Sequence, residues 1–516
     1  MCRNVSACSS RSCPVGRSRG RLPAPAPREH PLTPSETPAT IKFPSRSRRG
    51  ILLGLTLPQL VATAFGGALL LAVLMTVGIL GALALTPLWV LLAVAVVFRI
   101  RGRSLAEWAP IGLRYWLRRT RGQLIWLARP STRPTVEGLL HLPGTAASLR
   151  AVTSPDGRLG AVHDQQQGTL TAVTRVSSRA FALLDPATQS DNVRGWGRAL
   201  AALSRSGQIA RIQVLERTVP DSGDALQRYW LEHGLPNTPV AGPIYADLLA
   251  AAGPAAAPHE AYIAIALDLR EARRLINQAG GGLAGAFSVL AQLTASLDQS
   301  VRGAGLVPGG WLTAGEIAAV VRTAYDPAVL GALERWSDSG RPEADVAAAG
   351  PVVLVEEPEK IRTDSAHHAT FWIEQWPRTE TSAGFLHQLL YSSGVRRTLS
   401  LHYTPQQIDA ALKDVQRKKA TIVADAAERV RRGQVDSEAD TVEYADVKAR
   451  ELQLIAGHAD VAMTGLLVVS ADDAEQLSAA CAQVETAAVA ALIDLRRLTL
   501  QQAEAFTAAA LPLARL

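Results

Sequence analysis

Residues 50–98 read GILLGLTLPQLVATAFGGALLLAVLMTVGILGALALTPLWVLLAVAVVF, without one charged side chain, and Arg49 and Arg99 stand at the two borders. A helix rises 1.5 Å per residue, so crossing about 30 Å of hydrocarbon takes roughly 20 apolar residues. The stretch is long enough for two passes and a tight turn. Its first pass is expected at about Leu57–Thr76 and its second at about Leu80–Phe98, with Gly78 and Gly81 near the turn and Pro87 inside the second pass. Hydrocarbon offers the backbone no partners, so both passes are expected to be helical.

Charge follows these borders. Residues 1–49 carry ten Lys+Arg against two acids, and residues 99–134 carry nine arginines against Glu107. The remaining 135–516 hold thirty-four bases against forty-three acids, so the basic excess lies beside the apolar stretch. A nucleic-acid binder shows its basic stripe on the folded domain, and direct nucleic-acid binding is not expected here. Short basic flanks stay cytoplasmic. The flanking set Arg46, Arg48, Arg49, Arg99, Arg101, Arg103, Arg114, Arg118, Arg119 and Arg121 therefore predicts both termini on the cytoplasmic side of the inner membrane. Trp108, Tyr115, Trp116 and Trp126 interleave with these arginines over 99–135. Rings of this kind favour the headgroup level and arginine snorkels to phosphates, which predicts an interfacial segment in contact with membrane lipid. The competing reading is a soluble amphipathic helix that caps the next domain.

The fold class expected is membrane-anchored α+β. Residues 1–49 form a basic, Ser/Pro/Arg-rich disordered tail, 50–98 the transmembrane hairpin and 99–135 the juxtamembrane segment. Two cytoplasmic α+β domains follow, at 136–337 and 351–516, with a linker at 338–350. In the first, strands are expected at Ser148–Thr153, Leu159–Asp164, Thr169–Arg175, Gln208–Thr218 and Ala261–Leu269, with helices at Asp191–Ser206, Asp221–His233, Arg270–Gln278, Leu283–Arg302 and Thr313–Tyr325. In the second, strands at Pro351–Glu357, Ala369–Gln375, Arg396–Tyr403, Asp460–Ser470 and Ala490–Leu498 alternate with helices at Ser382–Ser392, Ala471–Ala488 and Gln501–Ala509. A charged helical pair over Thr404–Ile455, broken near Gly433, interrupts the series. The order matches a split ferredoxin-like unit with an inserted helical hairpin.

No catalytic set emerges. A P-loop needs Gly-Lys-[Ser/Thr], and none of the six lysines follows a glycine. Without that loop, the apolar strand ending in Glu356 and Glu357 is an ordinary strand with a solvated end. Gly280–Gly282 with Gly285 lacks the strand-to-helix setting of a dinucleotide fingerprint. His367 and His368 are adjacent, so on a strand they point to opposite faces and share a metal poorly; His387 and His402 lie downstream. Glu356, Glu357 and Glu359 read as an acidic turn. Cys2, Cys8 and Cys13 sit in the tail and Cys481 stands alone. No cofactor, metal or catalytic residue is expected, and the chain is not expected to be an enzyme.

Several stretches resemble an actinobacterial family of membrane proteins from conjugative elements: KFPSRSRRGILLGLTLPQLV (42–61), RGRSLAEWAPIGLRYWLRRTRG (101–122), LLHLPGTAASLRAV (139–152), LTAGEIAAVVRTAYDPA (312–328), DSAHHATFWIEQWPR (364–378), LLVVSADDAEQLSAACAQVE (466–485) and Leu495–Pro512. In that family a PrgI-like two-helix hairpin is joined to a region similar to the N-terminal part of type IV secretion ATPases, without the motor. The resemblance implies a non-catalytic inner-membrane component of a type IV-like DNA-transfer apparatus. It would act as an oligomer in a complex, docking a separate ATPase or coupling protein and channel subunits. The alternatives are a type VII-like secretion membrane component and, from another class, a membrane-bound enzyme with an unrecognised site.

Overall fold

The computed structural model describes residues 40–41, 43, 57–100, 102–128, 136–178, 181–220, 224–235, 238–252, 258–339, 345–391, 394–431, 433, 438–456 and 459–516. The expected disordered tail, with Arg46, Arg48 and Arg49, and Arg101 beyond the apolar stretch lie outside these residues. So does the middle of the expected linker.

The apolar stretch is helical over most of Leu57–Val97. Helix α1 covers Leu57–Thr76, α2 Gly78–Ala84 and α3 Thr86–Val97. The turn is tight: Gly78 takes a φ of +78°, a left-handed conformation that favours glycine. The Gln59 side chain at the start of α1 donates to the Val96 carbonyl at the end of α3 (2.8 Å), so α3 returns beside α1. The stretch expected as a second pass is not one unbroken helix. Pro87, in the first turn of α3, has no N–H to give, and the chain breaks at Leu85. Among the described residues, α1 alone is long and apolar enough to cross a membrane: Pro58–Thr76, mean hydropathy 1.9, with 11% of it buried.

Helix α4, Leu105–Thr120, starts on a reciprocal cap in which Ser104 and Glu107 satisfy each other's backbone N–H groups. It leads into a 13-stranded sheet. In chain order come β1 (Ile125–Leu127), β2 (Arg150–Thr153), β3 (Gly160–Asp164), β4 (Thr169–Ser178), α5 (Pro186–Arg205), β5 (Ile209–Thr218), α6 (Asp224–His233), α7 (Ala241–Ala252), β6 (His259–Asp268), α8 (Arg273–Gln278), α9 (Gly282–Arg302), β7 (Leu306–Trp311), α10 (Ala314–Tyr325) and α11 (Leu330–Asp338). They are followed by β8 (Val353–Glu356), β9 (Ile361–Arg362), β10 (His367–Gln375), α12 (His387–Leu390), β11 (Arg396–Gln406), α13 (Ile408–Arg431), α14 (Glu438–Ile455), β12 (Asp460–Ala471), α15 (Ala474–Ala490), β13 (Asp494–Arg497) and α16 (Gln502–Ala510). The strand order is β1-β8-β9-β10-β12-β11-β5-β6-β4-β3-β2, with β7 also on β4 and β13 also on β10. Every pairing is antiparallel.

The sheet does not stop where the sequence suggested a domain boundary. β5 from 136–337 pairs with β11 from 351–516, Ile212 to Arg217 against Tyr403 to Thr398. A strand edge left bare on either side would expose a row of unpaired N–H and C=O groups, and this pairing removes both edges. One face carries α10 and α16 over a single core that joins the halves through Leu215, Tyr262, Ile317, Tyr325, Leu466 and Phe506. The other face carries two separate cores, under α5, α8 and α9 in the first half and under α12 and α15 in the second. Close approach explains one glycine: at Gly160 a Cβ would lie 2.3 Å from the Ala314 backbone nitrogen.

Other local readings shift. The helix expected over Ser382–Ser392 shortens to His387–Leu390, because Thr381 and Ser382 instead form a short ladder with Ile41 and Thr40. β7, LVPGGW, has no alternating pattern to reveal it, since Pro308, Gly309 and Gly310 interrupt it. β11 runs on to Gln406, past the point where the helical pair was expected to begin.

Candidate membrane-proximal docking site

The residues expected to meet the membrane divide into two groups along α4. Arg118 reaches into the sheet and pairs with Glu356 at the end of β8, whose side chain is fully buried. Glu356 also accepts from the Ala503 N–H in the first turn of α16 (3.2 Å). Burial raises the Glu356 pKa and the Arg118 charge opposes that rise. One turn earlier, Arg114 bonds Glu504 at 2.8 Å. The ring of Tyr115 is half-buried on the same side, and burial raises its pKa. α4 is thus tied to the sheet by side chains four apart, which share a helix face.

On the rest of α4, Leu113, Trp116, Leu117, Arg119 and Arg121 at its C-cap are exposed. Closer to α3, the Arg103 guanidinium lies 5.9 Å from the centre of the Trp108 ring. Arg99 is exposed next to the end of α3. Trp126 is placed elsewhere. It pairs with Leu354 as part of β1 and packs on the shared core, with its Nε1 buried and without a hydrogen-bond partner among the described residues. Its ring is built into the sheet. The capping-helix reading therefore describes Arg114 and Arg118, Trp126 belongs to the sheet, and Trp116, Arg119 and Arg121 remain exposed.

The other candidates for chemistry resolve into structural roles. His368 is fully buried between Thr363 (2.9 Å) and Ser470 (2.8 Å), so both ring nitrogens are engaged. Burial pushes its pKa down to about 3. His402 is also buried and pushed down to about 3, with Nε2 at 3.0 Å from Ser400 Oγ and 3.1 Å from the Ala508 carbonyl. His387 is one turn from Tyr391, ring on ring at 4.8 Å. Of the acidic turn, Glu357 faces Lys360 and Glu359 faces Arg497. Sequence reasoning missed the burial of Glu356; its signal was the apolar strand directly before it, which carries the chain inward. Among the described residues no group of three His, Cys, Asp or Glu side chains is placed to hold a metal.

Against known families, one segment finds a match. Residues 255–373, from just before β6 into β10, match EccE, "Putative type VII ESX secretion system translocon, EccE". The match spans under a quarter of the 516 residues and crosses from the first half of the sheet into the second. It agrees with the type VII alternative. It gives no support to the PrgI-like type IV family, so the preferred family reading from the sequence is corrected to this extent. No curated protein matches the chain.

Proposed function

We propose that this chain is a non-catalytic membrane component of a type VII-like secretion apparatus. The family match over residues 255–373 carries the reading, because it runs through strands from both halves of the sheet. The anchor would be a two-pass helical hairpin. α1 supplies one pass, and α2 with α3 the other: Gly78 through Val97 extends about 30 Å at helical rise. At the break, the Trp89 Nε1 donates to the Ala82 carbonyl (3.1 Å), which satisfies a backbone group that hydrocarbon would leave bare. With arginines at both borders, both ends would lie in the cytoplasm. α4 would then lie at the headgroup level with Trp116, Arg119 and Arg121 toward lipid, and Arg114 and Arg118 would fix the sheet beneath it.

In this role the protein holds its sheet against the membrane and offers surfaces to a separate ATPase and to channel subunits. Purification of the tagged chain from detergent-solubilised membranes tests the assignment. Recovery of type VII membrane components together with their ATPase is the expected result. Recovery of type IV coupling proteins, or of no secretion component, would overturn it. Cysteines placed at Val77 and at Arg121 test the topology: a membrane-impermeant thiol reagent applied outside the cell should label the first and spare the second.

A further inference from the structure

The two halves of the sheet are built alike. In each, a two-strand hairpin leads into four strands: β7-β4-β6-β5 in the first half and β13-β10-β12-β11 in the second. Helices cross over between the first and second strands and between the third and fourth, and one more helix follows, α10 or α16. A helical hairpin is inserted at the same point of each, α6–α7 between β5 and β6 and α13–α14 between β11 and β12.

From this we infer that residues 136–516 are one βαββαβ unit present twice and fused into a twofold pair. The inference goes beyond the proposed function and does not rest on it. The hydrogen-bond registers supply its test within the molecule. Trp311 pairs with Thr174 at the end of the fourth strand of the first half, and Arg497 pairs with Phe371 in the second. The next residue is a leucine in both: the Leu312 N–H donates to the Val173 carbonyl, and the Leu498 N–H to the Thr370 carbonyl. Thr174 and Phe371 are thus equivalent. Thr174 pairs with Ile263 and Phe371 with Leu467, which makes that pair equivalent too. Ile263 pairs with Val214 and Leu467 with Leu399, so Val214 corresponds to Leu399 and Leu215 to Ser400.

All of these pairings lie within one half or the other. At the junction between the halves Leu215 pairs with Ser400, each residue opposite its own counterpart. Stepping outward, Val214 with Leu401 is mirrored by Glu216 with Leu399, and Gln213 with His402 by Arg217 with Thr398. A self-complementary interface has this property, residue i on j and j on i, about a twofold axis. Here the axis passes through the Leu215–Ser400 pair. In both units the carbonyl at the end of the last helix accepts from the other unit. Thr363 of the second unit donates to the Tyr325 carbonyl of the first, and Gln213 of the first donates to the Leu511 carbonyl of the second, at the equivalent position (2.9 Å).

The inserted hairpins are then two forms of one arm, carried at opposite ends of the central strand pair β5–β11, and their surfaces have diverged. α7 exposes Ile244, Tyr245 and Leu248. α13 and α14 are tied by ion pairs, Lys419 to Glu451 and Arg450 to Asp414. Exchange of the arms in the full chain tests the equivalence, with 219–258 set between Gln406 and Asp460 and 407–459 between Thr218 and His259. Both the native and the exchanged chain carry L215C and S400C. A disulfide formed to a similar extent in both chains, with melting temperatures within a few degrees, is expected. If the exchanged chain neither folds nor cross-links while a chain with both arms replaced by short loops does, the equivalence is overturned. In the otherwise native chain, the pairs V214C/L401C and E216C/L399C should both cross-link. One forming without the other would remove the axis.

Discussion

Helices α1 and α9 are both about six turns long and rich in Leu, Val and Ala, yet they meet opposite surroundings. In α1 the apolar side chains point all round, and Phe65, Leu71 and Met75 are exposed. In α9 they line one side, where Leu290, Leu297 and Val301 are fully buried against the sheet, and Ser288, Gln292 and Gln299 alternate with them along the chain. A helix with a single apolar stripe is solved by packing, whereas one that is apolar all round requires an apolar solvent. Length is shared, and the difference lies in the polar residues: α9 carries Ser, Gln, Asp298 and Arg302 to make a polar face, whereas α1 holds no charged side chain and has none to offer water.

The largest expected effect comes from placing a carboxylate in each helix. Leu290→Asp loses a buried side chain and buries an unpaired charge, which should cost more than about 5 kcal/mol and abolish the cooperative melt. Leu71→Asp should leave the melt of the solubilised protein unchanged and weaken membrane insertion by about 3 kcal/mol, read as the fraction extracted from membranes by carbonate. Equal melting losses in both variants would break the comparison.

Next in size, Phe506→Ala should cost about 3–5 kcal/mol in denaturant unfolding. Its ring lies 5.1 Å from Tyr325 and 4.6 Å from His368, in the core that joins the two halves. Arg118→Ala should cost about 3 kcal/mol because Glu356 is left buried without its cation. The double variant Arg118→Ala with Glu356→Gln should recover most of that loss. An unrecovered double variant would mean that the helix, and not the charge pair, carries the effect.

Acid should act on the sheet more strongly than on α1. His368 and His402 have folded pKa values of about 3 against 6.5 when unperturbed. Because the folded value is the lower one, the stability they contribute is present above pH 6.5 and is lost as pH falls from 6.5 toward 3. At pH 5 each should have forfeited about 2 kcal/mol, measurable as a falling denaturant midpoint that His402→Gln makes shallower. The smallest effect is reserved for the open face of α4. Arg119→Ala with Arg121→Ala should leave the melt unchanged and weaken binding to anionic vesicles by about 1 kcal/mol per arginine; unchanged vesicle binding would separate α4 from the lipid surface.

How much of this was legible in the sequence varies with the range of the interaction concerned. Strands such as β4, β6 and β12 announce themselves through runs of β-branched and aliphatic residues, and the ends of α1 follow from an uncharged run and a glycine turn. Ile125–Leu127 gave no such signal, because its three residues become a strand only through pairing with β8. In the candidate site, the arginines and rings were legible as a group. Their division was not, since whether Arg118 meets lipid or Glu356 depends on a residue 238 positions away.

The sequence by itself determined where the apolar run lies, that both of its borders are basic, and the local periods of most helices and strands. These depend on neighbours within a few residues and on each side chain's own affinity for water. Tertiary structure alone decided that the two halves share one sheet, that Arg118 reaches Glu356, and that Leu215 faces Ser400. Each of these depends on which strand edge meets which, and edge pairing is made through backbone groups that every residue carries, so side-chain identity records it only weakly.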